Sequence, residues 1–380
     1  MRLHRTLLVL VGWAIAASHP AAAQEYAPSS TAQVGADTVI SADGLVQSGE
    51  TSGGVTFDML GGWRVAPRLE VLARPVVSRR SDDTWDANLY QLAMRYTRPG
   101  TVRLRVEGGF LPSPIGILPL EARADQNPVI ISATSYQAAL PTFEAGTPTV
   151  QLTSASYPLA LQVTTSATHW DLRMAVLGSS PARVRPLTGA DRPPSSPQLA
   201  FGGGVTPHIG LRLGASFAHG RYATAAEVAD WLRDRMATLV GFDADYSVGF
   251  TRVYADFVHG RYDRTSDSVN ATSLTLTAVR TLSPRWYLAA RGSRQTTGDM
   301  LQPKKYGHHY YSYSGLYGGG GGEEWEDVGA ANALTVQAVA GYRLSPDVTF
   351  RAGYAGYRAF GSDQLNHGFA CSVVWAHRWW

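Results

Sequence analysis

The stretch "TPHIGLRLGASFAHG", residues 206–220, alternates almost without interruption. Ile209, Leu211, Leu213, Ala215 and Phe217 take one parity, and Gly210, Arg212, Gly214 and Ser216 take the other. Successive side chains of a strand point to opposite faces, so one face here is apolar and the other small, polar and charged. Such a strand separates a protein core from water, or lipid from a wet lumen. The pattern recurs along the chain. Val102, Leu104 and Val106 oppose Arg103, Arg105 and Glu107, and Trp170, Leu172, Met174 and Val176 oppose Asp171, Arg173 and Ala175. Val240, Phe242, Ala244 and Tyr246 oppose Gly241, Asp243 and Asp245. Leu334, Val336, Ala338 and Tyr342 oppose Thr335, Gln337 and Arg343, while Val348, Phe350, Ala352 and Tyr354 oppose Thr349, Arg351 and Gly353. Alternation sustained in this way is the signal of a half-buried strand.

The connections between these runs are asymmetric. Short turns are predicted at "RVAPRL" (64–69), "TRPGT" (97–101), "SATHW" (166–170), "VTPHI" (205–209), "YSVGF" (246–250), "LSPRW" (282–286) and "LSPDV" (344–348). Several centre on proline or glycine, as tight turns require. Between them lie longer polar stretches at 112–149, 179–197, 221–236 and 297–330, with some shorter ones. Short turns on one side and long loops on the other are the layout of an outer-membrane barrel. Seven short turns with both chain ends on the short-turn side predict an all-β, antiparallel up-and-down barrel of about 16 strands, with 14 or 18 as alternatives. A soluble sandwich explains the alternation equally well. It would need one very large core for so many apolar faces, and chains of this length usually split into domains at a linker that is absent here.

Composition and the amino terminus agree with the barrel. Only 17% of residues are charged, against about 25% in soluble domains. Beyond the amino terminus no apolar run approaches the 18–20 or so residues of a membrane helix. Arg2 and Arg5 precede "TLLVLVGWAIAA", and Ala21 and Ala23 frame a small-residue cleavage motif before Gln24. That is the order of a secretory signal, predicted over residues 1–23, with a single barrel domain over 24–380. The formal charge is +3 and falls further once Arg2 and Arg5 leave, which argues against a nucleic-acid binder. Cys371 is the lone cysteine, so neither an internal disulfide nor a thiolate metal cluster is expected.

One stretch carries a resemblance. The glycine- and proline-bearing "GFLPSPIG", followed by "LEARAD" and "NP" within residues 108–148, resembles uncharacterised bacterial porin-like outer-membrane proteins. In these a strand enters a long loop that folds into the barrel. The end of the chain, "ACSVVWAHRWW", also resembles barrels that finish on an aromatic residue read by the assembly machinery. It departs from them at Ala376 and Arg378, which share the parity of Trp380 where apolar residues are expected. The resemblance implies passive diffusion of small hydrophilic solutes or ions across the outer membrane of a Gram-negative-type bacterium. Its partners would be outer-membrane lipid and the barrel assembly machinery, and trimers are common among such proteins.

From the residues alone, a loop at 112–149 either constricts the lumen or forms an external lid. In the first case Glu121, Arg123 and Asp125 set the field beside Arg103, Arg105 and Glu107. The inward parity also carries Arg74, Arg95, Arg173, Arg212, Arg252, Arg291, Arg343 and Arg351. Facing them are Asp58, Glu70, Glu107, Asp171, Asp243, Asp245 and Asp256. The excess of arginine predicts a weak anion preference. Elsewhere, His308 and His309 with Glu323 and Glu324 flank a glycine run, and Val228, Trp231, Leu232 and Arg235 share one helical face over 224–236. An exposed loop and a short rim helix account for these. His169, His219, His259 and His367 lie near strand ends, but no Gly-x-Ser-x-Gly or His-Glu-x-x-His motif accompanies them. No enzyme and no cofactor are expected. The alternative to a channel is a non-conducting barrel acting as scaffold, adhesin or rim hydrolase.

Overall fold

The computed structural model describes residues 34–379 apart from 48–49, 80–83, 113, 118–122, 134–139, 142, 145–149, 153–156, 179, 182–197, 223–233 and 304–324. The predicted signal segment, Glu121, the His308–His309 loop with Glu323 and Glu324, most of the 224–236 helix and Trp380 lie outside these residues. In chain order the strands are β1 (Val34–Gln47), β2 (Glu50–Ala66), β3 (Leu69–Arg79), β4 (Trp85–Arg98), β5 (Arg103–Phe110), β6 (Leu159–Ala167), β7 (Trp170–Leu177) and β8 (Gln198–His208). They continue as β9 (Leu211–Arg221), β10 (Met236–Val248), β11 (Thr251–Asp263), β12 (Ser268–Thr281), β13 (Trp286–Pro303), β14 (Trp325–Arg343), β15 (Val348–Arg358) and β16 (Asn366–Trp379). Each pairs antiparallel with its sequence neighbours, and β1 pairs with β16 to close the barrel.

All seven short connections fall where the turn residues place them, from β2–β3 to β14–β15. Gly210 and Gly249 take positive φ in two of them, the conformation a tight hairpin demands. The opposite end is less uniform than the sequence suggests. β1–β2 and β11–β12 are joined there by only residues 48–49 and 264–267. The expected 297–330 loop is also shorter, because β13 runs on to Pro303 and β14 resumes at Trp325. At 18 and 19 residues these two strands exceed the 9–11 or so that cross a bilayer.

The alternation resolves into two faces. Leu213, Phe242, Leu276, Leu288 and Met174 point outward and are exposed, whereas Asp243, Thr275, Thr277 and Arg291 point inward and are buried. On β16 the outward set is Trp375, His377 and Trp379, so the aromatic end of the last strand lies on the outer face. Arg378 has the other parity for a reason absent from its neighbours in sequence: it meets Asp37 of β1 at 2.7 Å across the closing seam.

Apolar packing inside the barrel comes chiefly from the 111–158 connection between β5 and β6. Leu111, Ile115, Leu140, Phe143, Val150 and Leu152 are at most 3% exposed. They pack on inward side chains of β4 and β6–β12, among them Ala93, Ala200 and Tyr262, and on Tyr222 just beyond β9.

Candidate functional site

The described parts of the 111–158 connection lie within the barrel and are tied to walls on several sides. Leaving β5, the chain passes Gly109 at φ +133° and Gly116 at φ +69°. A Cβ at Gly109 would strike the Leu92 carbonyl, and one at Gly116 would strike the Asp256 carboxylate. This close approach accounts for two glycines of the "GFLPSPIG" neighbourhood. The Gly116 amide donates to Ser216 Oγ of β9 at 3.2 Å, and the Ile117 amide donates to Asp256 Oδ2 of β11 at 2.8 Å.

Farther along, the connection reaches the other side of the barrel. The Ile131 amide donates to Gln337 Oε1 of β14 at 2.9 Å, while Gln337 Nε2 donates to the Ile131 carbonyl at 2.6 Å. One terminal nitrogen of Arg351 on β15 donates to the carbonyls of Ala124, Asn127 and Val129 at 3.1, 2.6 and 2.8 Å. Its other terminal nitrogen donates to Ser372 Oγ. Arg123 lies 3.4 Å from Asp125 and 3.8 Å from Asp37 of β1. Burial pushes the Asp125 carboxyl above the ordinary aspartate range, against the opposing pull of Arg123.

Beside the 123–132 segment is a cavity of about 190 Å³, lined on the wall by Ser41, Asp43, Thr56, Asp58 and Arg351. Asp37 and Asp43 are inward acids that the sequence reading missed. The alternation of "VISAD" in β1 carried the signal, with Ile40 and Ala42 outward and Ser41 and Asp43 inward.

The inward arginines divide into three kinds. Several are paired with carboxylates. Arg212 bridges Asp171 at 3.1 Å and Asp243 at 2.6 Å, Arg252 meets Asp245 at 2.7 Å, and Arg74 meets Asp58 at 2.6 Å. Arg105 and Arg95 both hold Glu107, at 3.1 and 2.9 Å, and Arg95 also reaches Glu70 at 3.6 Å. A second kind is buried in the wall. Arg291 is 2% exposed and donates to Thr277 Oγ1, while Arg351 is 4% exposed and consumed by the loop carbonyls. Both are engaged by the wall or by the connection.

The third kind comprises Arg103 and Arg343 near the turn end and the half-buried Arg173. Arg103 stands exposed at the turn end of β5, away from the internal connection that leaves the other end of the strand. Arg343 is at the turn end of β14, over the Tyr287 ring at 5.4 Å. Arg173 has no carboxylate within ion-pair distance among the described residues, although Asp171 and Asp243 act on it electrostatically, as do Arg212 and Arg105. The histidines are not grouped with these charges: His219, His259 and His367 point outward, against Thr238, Thr272 and Tyr354 hydroxyls respectively.

The closed wall with an internal connection defines a class, the sixteen-stranded antiparallel β-barrels. Among solved structures, the chain is similar to an anion-selective porin from Comamonas acidovorans, at TM-score 0.55 and 8% identity, covering 91% of this chain and 99% of that one. It is similar to OprB of Pseudomonas putida at TM-score 0.54 and 9% identity, covering 91% and 94%. OmpT, an outer membrane protein of Vibrio cholerae, gives TM-score 0.53 and 9% identity over 90% and 97%. At such identities the likeness is one of fold. No family model and no curated protein matches the chain.

Proposed function

We propose that this protein is an outer-membrane, porin-like channel for passive diffusion of small hydrophilic solutes, with a weak preference for anions. The observation that carries the reading is the internal connection. It is pinned to β9 and β11 at one part and to β14 and β15 at another, within a wall lined by arginines and carboxylates. A segment so fixed narrows the lumen without needing to move, and opposed charges beside it orient dipolar solutes. In this reading the chain is exported through a cleaved signal, inserted by the barrel assembly machinery, and has no enzymatic activity or cofactor. A homotrimer is consistent with an OmpT of Vibrio cholerae whose structure is described as a trimer form.

Conductance in a planar bilayer tests the reading. Steady ohmic steps that reverse slightly toward the anion potential under a salt gradient are expected. The apolar cluster around Leu111, Ile115 and Phe143 fills part of the interior and favours the second reading, a non-conducting barrel. Membrane insertion with no conductance steps would establish that alternative.

A further inference from the structure

The outer surface is not equally apolar round the barrel. In the half of the wall away from the short turns, β2–β8 present Val55, Leu89, Leu92, Leu161 and Leu199 outward. Among the described strand residues Arg79 is the cation there, and it lies over the Trp85 ring at 5.8 Å. β9–β16 differ: at that level their outward parity carries Arg261, Arg294 and Arg358, together with His219, His259 and His367. Register places Leu274, Arg294, Leu334 and Arg358 side by side on β12, β13, β14 and β15. Arg294 and Arg358 are thus two strands apart, about 10 Å.

Their height is informative. Arg294 is eight residues up from Trp286, the start of β13, and Arg261 and Arg358 are ten residues up from the starts of β11 and β15. At about 3.4 Å per residue and a tilt near 40°, these lie about 21 and 26 Å above the turn end. The apolar band of a membrane barrel is about 25 Å tall, so Arg261 and Arg358 sit at the level of the lipid headgroups on the long-loop side, and Arg294 lies just beneath it, close enough for its long side chain to reach that level.

They are also under-partnered. Arg261 and Arg294 have no hydrogen-bond or ion-pair partner among the described residues. Arg358 donates to Asn332 Oδ1, while its Nε is buried without an acceptor. Each histidine has Nδ1 engaged by a neighbouring hydroxyl, which leaves Nε2 as the nitrogen open to a partner. Guanidinium groups at a membrane surface call for anions, and phosphate oxygens match their fork.

We propose that this face of β9–β16 docks phosphorylated headgroups of the surrounding lipid leaflet. The inference rests on the outer-membrane reading above. A second copy of the chain fits less well. Among the outward strand positions whose side chains are described, the carboxylate is Asp263, at the rim end of β11, so those positions offer no acidic row to meet three arginines.

The test uses the full chain folded in a neutral detergent and offered phosphatidylglycerol or phosphatidylcholine, with retained lipid counted by native mass spectrometry. The wild type should retain phosphatidylglycerol selectively and lose it at high salt. R261Q/R294Q/R358Q should lose that selectivity. About fivefold in affinity is expected for each arginine, equivalent to about 1 kcal/mol per basic residue at an anionic surface. Arg79→Gln, on the opposite wall, should leave retention unchanged, and inorganic phosphate should not displace the lipid.

Equal retention by wild type and triple variant would overturn the proposal, as would displacement by inorganic phosphate. Dissociation of a lipid-free oligomer by the triple substitution would assign the face to a second copy instead. Should the triple variant not fold, salt-insensitive retention by the wild type overturns the proposal on its own. A wild type without heat-modifiable gel mobility in any lipid would instead remove the membrane reading beneath it.

Discussion

Arg74 and Asp58 show how a charge is kept inside this barrel. Their side chains are 8% and 6% exposed, the ion pair is 2.6 Å long, and the guanidinium also donates to the Tyr157 hydroxyl and lies near the Tyr90 ring. Removing one member of a buried pair leaves the other uncompensated. Asp58→Asn should therefore lower stability by about 3 kcal/mol in urea unfolding monitored by gel mobility. Replacing both members with apolar residues, Asp58→Leu with Arg74→Met, should recover much of that loss. The outward residues obey a different rule. Leu276 is 53% exposed and five residues from the turn end of β12, which on the proposed outer-membrane reading places it near mid-membrane. Leu276→Arg should cost about 2–4 kcal/mol, because the new charge meets hydrocarbon. A variant that unfolds at the wild-type urea concentration would mean that this face does not meet lipid.

At the level of elements, the strands were legible and the path of the connection between β5 and β6 was not. Alternation and turn chemistry are local, so "LSPRW" or "VTPHI" can be recognised from a few residues. The contacts that draw the connection inward join residues far apart, such as Ile131 with Gln337 and Asn127 with Arg351. Nothing in the spacing of Gln337 distinguishes it from any other inward polar residue. Parity places Arg351 among the inward charges, but not the three backbone carbonyls that accept from it. If Arg351 anchors the connection, Arg351→Met should remove those donors and leave the strand intact. Single-channel current should then become noisier, with more excursions between levels than in the wild type. Gly116→Ala should act in the same direction by forcing the chain away from Asp256. Unchanged current noise in both variants would show that these contacts do not set the position of the connection.

Across the whole molecule, five of the inward arginines, Arg74, Arg95, Arg105, Arg212 and Arg252, have a carboxylate beside them. The net field of the lumen then depends on those that do not, with Arg173 the best placed. Arg173→Gln should reduce the anion preference in reversal-potential measurements more than Arg103→Gln, whose side chain stands at the mouth. Raising salt should shrink the difference, since the Debye length falls from about 10 Å at 0.1 M to about 3 Å at 1 M. Equal effects of the two substitutions would mean that the field is set elsewhere. Closure has a consequence in time. The register that joins β1 to β16 runs from Ala36–Trp379 to Gln47–Gly368, so the first strand finds its last neighbour only when the far end of the chain is present. Until then β1 exposes a row of unsatisfied amides and carbonyls, an edge open to wrong pairing. The connection that fills the interior is also held by strands that follow it in the chain, β9 to β15. A nascent molecule thus passes through a long interval as an open, sticky sheet around a half-anchored plug, and its yield is decided by how well that interval is chaperoned rather than by the stability of the finished wall.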